Sequence, residues 1–309
     1  MQYRGRFAPS PTGPLHFGSL IAAVGSYLQA RSQQGTWLVR IEDLDPPREI
    51  PGATSSILTA LEAYGLLWDE DVTYQSTRIS LYADAIHQLT SAKHTYPCTC
   101  SRKDIQESHQ NQNLSQQSNS TNNESKSNAI YPRTCRSTPA NTNKPHAIRL
   151  KTDNQPISFE DKIQGRFEQR LERKVGDFVI LRSDGLFSYQ IAVVVDDAEQ
   201  KITEVVRGSD LLNNTPRQLY LQQLLNLETP NYIHLPIVVN QQGEKLSKQT
   251  FAEALDLTNP VATLWRTLDF LGQQPPDELQ EADLSSFWGW AIQHWDTEKI
   301  SRVPSIQEQ

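Results

Sequence analysis

Apolar and polar positions alternate in two registers along this chain, and each change of register marks an element. Arg4–Phe7 is short and extended, a Pro- and Gly-rich turn follows, and from Ser19 the apolar residues Ile21, Val24 and Leu28 recur at helical spacing. Trp37–Ile41 is an apolar run that predicts a buried strand, with Glu42, Asp43 and Asp45 just beyond its end. Helical spacing returns at Ile57, Leu61 and Tyr64, and again at Tyr82, Ile86 and Leu89. Strands alternating with helices predict βαβ units and an α/β fold on a mostly parallel sheet. Ligands of such sheets bind beyond the carboxyl ends of the strands, where Glu42 would lie.

The pattern then breaks. Residues 106–128 are almost entirely Gln, Asn and Ser with scattered charges, too polar to order themselves by burial, and are expected to be a disordered insertion. Lengthening a loop costs only about 0.6 kcal/mol per doubling, so the fold can carry it. Regular structure is expected again from about Ala147. Phe187–Asp196 reads as either a strand or a buried helix. Thr215-Pro216 predicts a helix start, with Thr as the cap and Pro in the first helical position. Tyr232–Val239 predicts a strand that leads into the loop at Lys245. Pro260, Val261, Leu264, Leu268 and Leu271 mark one further helix, and Leu284, Trp288, Ala291 and Trp295 another. This all-helical tail is expected to form a small second domain.

Composition narrows the setting. A chain of 309 residues can bury one large core or two unequal ones. No apolar run is long enough to span a bilayer, and the first residues lack a signal peptide's apolar stretch. Three cysteines cannot all pair, and Cys98 and Cys100 are too close to bridge comfortably, so a reducing cytoplasm is expected. The net charge of −7 argues against indiscriminate nucleic-acid binding but leaves room for one specific RNA partner.

Two segments carry candidate nucleotide chemistry. In the first, prolines at 9, 11 and 14 stiffen a turn while Gly13 and Gly18 let backbone approach a ligand. His16 and Ser19 then stand at a helix N-terminus, whose free N–H groups and positive dipole end suit phosphate. In the second, Lys245-Leu-Ser-Lys248-Gln249, two lysines can fold over a triphosphate. Taken alone, His16 also reads as a turn histidine and the lysine loop as a solvated turn. Together and in this order they resemble the two signatures of class I aminoacyl-tRNA synthetases, His-x-Gly-His and Lys-Met-Ser-Lys-Ser. Ser19, Leu246 and Gln249 depart from that pattern.

Arg6-Phe-Ala-Pro-Ser10-Pro-Thr-Gly13, Val39-Arg-Ile-Glu42-Asp43-Leu-Asp45 and Val205-Val-Arg207-Gly-Ser-Asp210 narrow the resemblance to the glutamyl-tRNA synthetases. His16-Phe-Gly18-Ser19 and Lys-Leu-Ser-Lys-Gln are closer still to their short paralogues, the glutamyl-Q tRNA(Asp) synthetases, over essentially the whole chain. That resemblance implies a Rossmann-like catalytic domain over 1–240, interrupted by a zinc-bearing insertion subdomain at 93–175, with the lysine loop and a helical C-terminal domain at 241–309. The chain stops at Gln309, and no anticodon-binding domain is expected. Arg6, Phe7, Ala8, Pro9, Ser10, Glu42, Tyr189 and Arg207 are implied to hold glutamate. The chemistry agrees: two carboxylates and one ammonium ask for two cations, Arg6 and Arg207, and one anion, Glu42. His16, Gly18, Ser19, Lys245 and Lys248 are implied to bind ATP, which brings Mg²⁺, with His16, Lys245 and Lys248 acting in catalysis.

Cys98, Cys100, Tyr131 and Cys135 are implied to hold one structural Zn²⁺, a set that suits that metal. His94, His109 and His146 remain competing fourth ligands. The implied activity is tRNA-independent formation of glutamyl-adenylate, then transfer to the cyclopentenediol of queuosine in the anticodon of tRNA(Asp), by a cytoplasmic monomer. A truncated glutamyl-tRNA synthetase acting at the 3′ end, or a non-catalytic RNA-binding paralogue, are the alternatives.

Overall fold

The computed structural model describes residues 2–115, 130–245 and 253–307. Its strands are β1 (Arg4–Phe7), β2 (Thr36–Ile41), β3 (Thr73–Tyr74), β4 (Thr95–Cys98), β5 (Ala147–Leu150), β6 (Pro156–Asp161), β7 (Gly165–Arg170), β8 (Phe178–Leu181), β9 (Glu204–Gly208), β10 (Asn231–Leu235), β11 (Ile237–Val239) and β12 (Ser305–Gln307). Its helices are α1 (Phe17–Ser32), α2 (Ala53–Ala63), α3 (Ile79–Ser91), α4 (Arg102–Ser115), α5 (Thr134–Ser137), α6 (Leu171–Lys174), α7 (Tyr189–Glu199), α8 (Thr215–Leu225), α9 (Pro260–Phe270) and α10 (Leu284–His294).

Parallel pairing dominates where the sequence alternates strand and helix. β1 pairs with β2 and β2 with β3, while β9 pairs with β10 and β10 with β6, all parallel. The two groups meet along β1 and β9, where Thr203 N donates to Arg4 O at 2.9 Å. The chain runs outward from β1 through β2 on one side and reaches β9 on the other, so a switch point lies at the carboxyl ends of these strands. Antiparallel pairing enters with the insertion: β4–β5–β8 form one small sheet and β6–β7 a hairpin.

The main core gathers Leu20, Ile21, Val24 and Leu28 of α1 with Phe7, Trp37, Val39 and Ile41 from the strands. At Gly25 a Cβ would stand 2.5 Å from Leu235 Cδ1, so only glycine lets α1 lie this close to β10. Leu264 and Leu268 of α9 and Phe287 and Trp288 of α10, expected in a small domain of their own, bury their apolar faces in this same core. The tail is also not all helical, because β12 pairs in parallel with β11. A second core holds Ile86 and Leu89 of α3, Ile191 and Val194 of α7 and Leu221 of α8.

Several local expectations change. The polar insertion begins as helix, since α4 runs to Ser115; Gln and Glu propagate helix well, and Ser101 and Asp104 exchange hydrogen bonds at its start. The rest of that insertion, within 116–129, lies outside the described residues. Phe187–Asp196 resolves as helix from Tyr189 onward. Tyr232–Val239 is not one strand: it breaks at Pro236, which has no N–H to give a ladder. Thr215 does not cap α8. It is the first helical residue and Pro216 the second, and its hydroxyl turns inward to accept from Arg207 Nη2 at 2.9 Å. Among the described residues no helix is long and apolar enough to cross a membrane.

Candidate active site

Charged side chains converge at the carboxyl ends of β1, β2 and β9, where burial makes each pairing consequential. Arg6, 3% exposed, donates from Nε and Nη2 to Asp197 Oδ1 and Oδ2 at 3.0 and 3.3 Å. Arg40, fully buried, reaches Asp197 at 2.8 Å, Glu42 at 3.6 Å and Asp196 at 3.7 Å. Asp196 accepts from Gln75, Arg78 and Tyr82, which ties α3 to α7. Burial opposes ionisation of Asp197, yet Arg6 and Arg40 hold its carboxyl below the ordinary value.

Glu42 is placed differently. Its backbone N–H donates to Pro9 O at 3.0 Å, fixing the 8–16 loop against the end of β2. Its Oε1 is buried with no hydrogen-bond donor among the described residues. Burial pushes its carboxyl up to about 7, opposed by Arg40 and Arg6 and reinforced by Asp197 and Asp196. Arg6 and Glu42 therefore do not satisfy each other. An ammonium brought to Glu42 would supply the missing donor. Ser188 Oγ and Gln190 Oε1, beside Tyr189, are likewise buried without a partner.

Arg207 completes the ring. Its Nε donates to His234 Nε2 at 3.0 Å and its Nη2 to Thr215 Oγ1 and Gln218 Oε1 at 2.9 and 2.8 Å. Nη1 faces the Tyr189 hydroxyl at 3.3 Å. These neighbours carry no formal charge when His234 is neutral, whereas Arg6 is neutralised by Asp197. Neither arginine thus offers its whole guanidinium to a ligand, since Nε and Nη2 of each are already engaged. Each keeps mainly its Nη1 end for a ligand carboxylate.

The chain that follows the lysine loop packs against the first nucleotide motif. Ala254 forms a bridge with His16, and Leu255 N donates to Leu15 O at 3.1 Å. His16 flanks the start of α1, and Gly13 takes φ 136°, a value that favours glycine. Ser19 Oγ accepts from His16 N at 2.8 Å and donates to His16 O at 2.7 Å, so this hydroxyl fastens the helix start. Ser10 is exposed at the mouth of the loop. Lys245 Nζ reaches Asp210 at 2.5 Å, just past β9. Lys248, Leu246 and Gln249 lie outside the described residues. A cavity of about 560 Å³ lies at the opposite, amino ends of the strands, but Glu204 there is already met by Gln29 and Lys162.

Away from this ring, Cys98, Cys100 and Cys135 bring their sulfurs within 4.8 Å of one another and could hold a metal ion. Cys100 and Cys135 sulfurs are 3.5 Å apart, and Tyr131 OH lies 3.2 and 3.6 Å from Cys98 and Cys100. Thiolates about 2.3 Å from a tetrahedral zinc would sit roughly 3.8 Å from each other, so the donor set fits. Neither His94 nor His146 belongs to the cluster, and the His109 side chain lies outside the described residues. Arg149 donates to Cys98 Sγ at 3.2 Å and covers the Tyr131 ring at 3.8 Å, placing a cation beside the sulfurs. Burial opposes ionisation of Cys135, yet the Thr99 N–H and the Tyr131 hydroxyl hold its thiol below the ordinary value.

Arg40, Asp196, Asp197, Gln218 and His234 were not picked out from sequence. A signal existed for three of them: Arg40 is a lone charge inside an apolar strand, and Asp196-Asp197 end an apolar helix run. Such charges are buried only when paired.

A family model described as tRNA synthetases class I (E and Q), catalytic domain, matches residues 2–260. A glutamyl-Q tRNA(Asp) synthetase from Dechloromonas aromatica is 50% identical over 304 residues, 98% of this chain and 97% of that protein. One from Pseudomonas aeruginosa is 47% identical over 307 residues, 99% and 98% of the two chains. The crystal structure of a glutamate-tRNA synthetase from Elizabethkingia anophelis superposes with a TM-score of 0.80 at 24% identity, covering all of this chain and 68% of that one, which shows a shared fold.

Proposed function

The chain belongs to the class I tRNA synthetases of the E and Q type, among the glutamyl-Q tRNA(Asp) synthetases, and we propose how its own residues carry that reaction. Glutamate is activated by ATP without tRNA, then transferred to the cyclopentenediol of queuosine in the anticodon of tRNA(Asp). The observation that supports this most is the ring of Arg6, Glu42, Tyr189 and Arg207, which offers the charge of Arg207, the remaining N–H donors of an already paired Arg6 and an unpartnered Glu42 oxygen to a ligand of opposite charges.

Arg207 Nη1 with the Tyr189 hydroxyl, and Arg6 Nη1, receive the carboxylates, while Glu42 takes the ammonium. No general base is required, because the α-carboxylate of glutamate, more acidic than a side-chain carboxyl at about 4.3, is already ionised at neutral pH. One carboxylate oxygen attacks the α-phosphorus of ATP, the bond to the bridging oxygen breaks, and pyrophosphate leaves. The enzyme's work is alignment and charge stabilisation. His16 and the N–H groups opening α1 face the phosphates, and Lys245 and Lys248 stabilise the departing pyrophosphate. Mg²⁺ arrives with ATP and neutralises phosphate charge. A hydroxyl of the acceptor's cyclopentenediol then attacks the adenylate carbonyl carbon, the acyl–phosphate bond breaks, AMP departs and the hydroxyl proton passes to its phosphate or to water. Cys98, Cys100, Cys135 and the Tyr131 oxygen would hold a zinc ion that ties β4 to α5 and fixes the insertion.

Glutamate-dependent ATP–pyrophosphate exchange in the absence of tRNA tests the activation step. Exchange with glutamate and none with glutamine is expected; no exchange without tRNA would contradict it.

A further inference from the structure

His234 stands in β10 with no solvent exposure, its ring stacked on Tyr232 at 6.1 Å and 9°. Its two nitrogens face different partners: Nδ1 lies 2.6 Å from Asp161 Oδ2, and Nε2 lies 3.0 Å from Arg207 Nε and 3.3 Å from the Thr215 hydroxyl. A carboxylate only accepts, so Nδ1 carries the proton; Arg207 Nε–H only donates, so Nε2 is the lone pair. The ring is therefore neutral and in one tautomer. Burial and the Arg207 charge hold His234 below its ordinary range, in spite of Asp161. Asp161 is itself fixed, since its Oδ1 accepts from Ile163 N, Gln164 N and His234 N. A rigid line thus runs from the β6–β7 turn through His234 to the guanidinium.

That line does two things for Arg207. It sets the plane of the guanidinium, which with Thr215 and Gln218 on Nη2 leaves Nη1 toward Tyr189. It also holds the arginine with a neutral acceptor. A carboxylate in direct contact would have cancelled the charge, as Asp197 does for Arg6. We propose that His234, oriented by Asp161, is a positioning residue for glutamate capture, fixing Arg207 while leaving its charge for the ligand. The proposal rests on the glutamate-binding reading of Arg207 above.

The test uses two substitutions that each keep one half of the line. His234→Gln retains an acceptor near Nε2 and loses the Asp161 contact; His234→Asn does the reverse. In glutamate-dependent exchange, His234→Asn should raise glutamate KM roughly ten- to hundredfold with ATP KM within about twofold, while His234→Gln should raise glutamate KM less than about threefold. A mild effect of His234→Asn with a severe one of His234→Gln, or parallel rises in both KM values, would overturn the proposal and leave His234 as an anchor for the β6–β7 turn. Absence of exchange in the wild type would fail the functional reading instead. The Arg207 Nε–H signal in a ¹H–¹⁵N spectrum of ligand-free protein, identified by its loss in Arg207→Lys, needs no substrate. It should be protected from solvent exchange in the wild type and His234→Gln and broadened in His234→Asn. The same behaviour in both variants would overturn the contact itself.

Discussion

Arg6 and Asp197 face each other in a two-pronged pair, Nε to Oδ1 at 3.0 Å and Nη2 to Oδ2 at 3.3 Å, both closed off from solvent. Asp197 also holds Arg40 at 2.8 Å. One carboxylate from α7 therefore fixes an arginine at the end of β1 and another in β2.

Removing it leaves two buried cations short of an anion. Asp197→Ala should lower stability by about 3–5 kcal/mol, read as a shift in the denaturant midpoint at unchanged slope. A loss below about 1 kcal/mol would mean that the arginines find other partners.

Glu42 gives a pH dependence whose sign follows from its raised carboxyl, at about 7. A group with a folded value above its unfolded one stabilises at low pH, and that contribution fades as pH rises through about 7. Glutamate's ammonium prefers the ionised form, so glutamate KM should rise as pH falls below about 7, where neither ligand carboxylate titrates. Glu42→Gln should raise KM and flatten this profile. An inflection that survives in Glu42→Gln would assign the titration elsewhere.

Much of this arrangement was legible beforehand. β2, α3 and α9 follow directly from apolar spacing, because each buries one clear face or is buried throughout. Arg6, Glu42, Tyr189 and Arg207 were named from family resemblance, and the fold brings them to one switch point. What was not legible is how their charges are shared. Asp197 is distant in sequence from Arg6 and Arg40, and His234 from Asp161 and Arg207, and only the fold makes them neighbours. The inward Thr215 was missed for a related reason, since local propensity does not report what a side chain meets across the fold; the break at Pro236 was readable locally, because proline has no N–H for the ladder.

The cysteine cluster should retain about one equivalent of zinc through gel filtration. Cys135→Ser should lose the metal to a competing chelator far sooner than the wild type. Clearly less than one equivalent, with added zinc not retained, would remove the metal from the account.

Lys248→Ala should slow ATP–pyrophosphate exchange by roughly tenfold or more while glutamate affinity, measured by calorimetry, changes little. Equal losses in both would contradict a role confined to the phosphates.

Charging of tRNA(Asp) tests the central claim most directly, with labelled glutamate and queuosine-containing and queuosine-free RNA side by side. Incorporation only into the queuosine-containing RNA, with its 3′ end still sensitive to periodate, is the expected result. Incorporation regardless of queuosine, with the 3′ end protected, would contradict it.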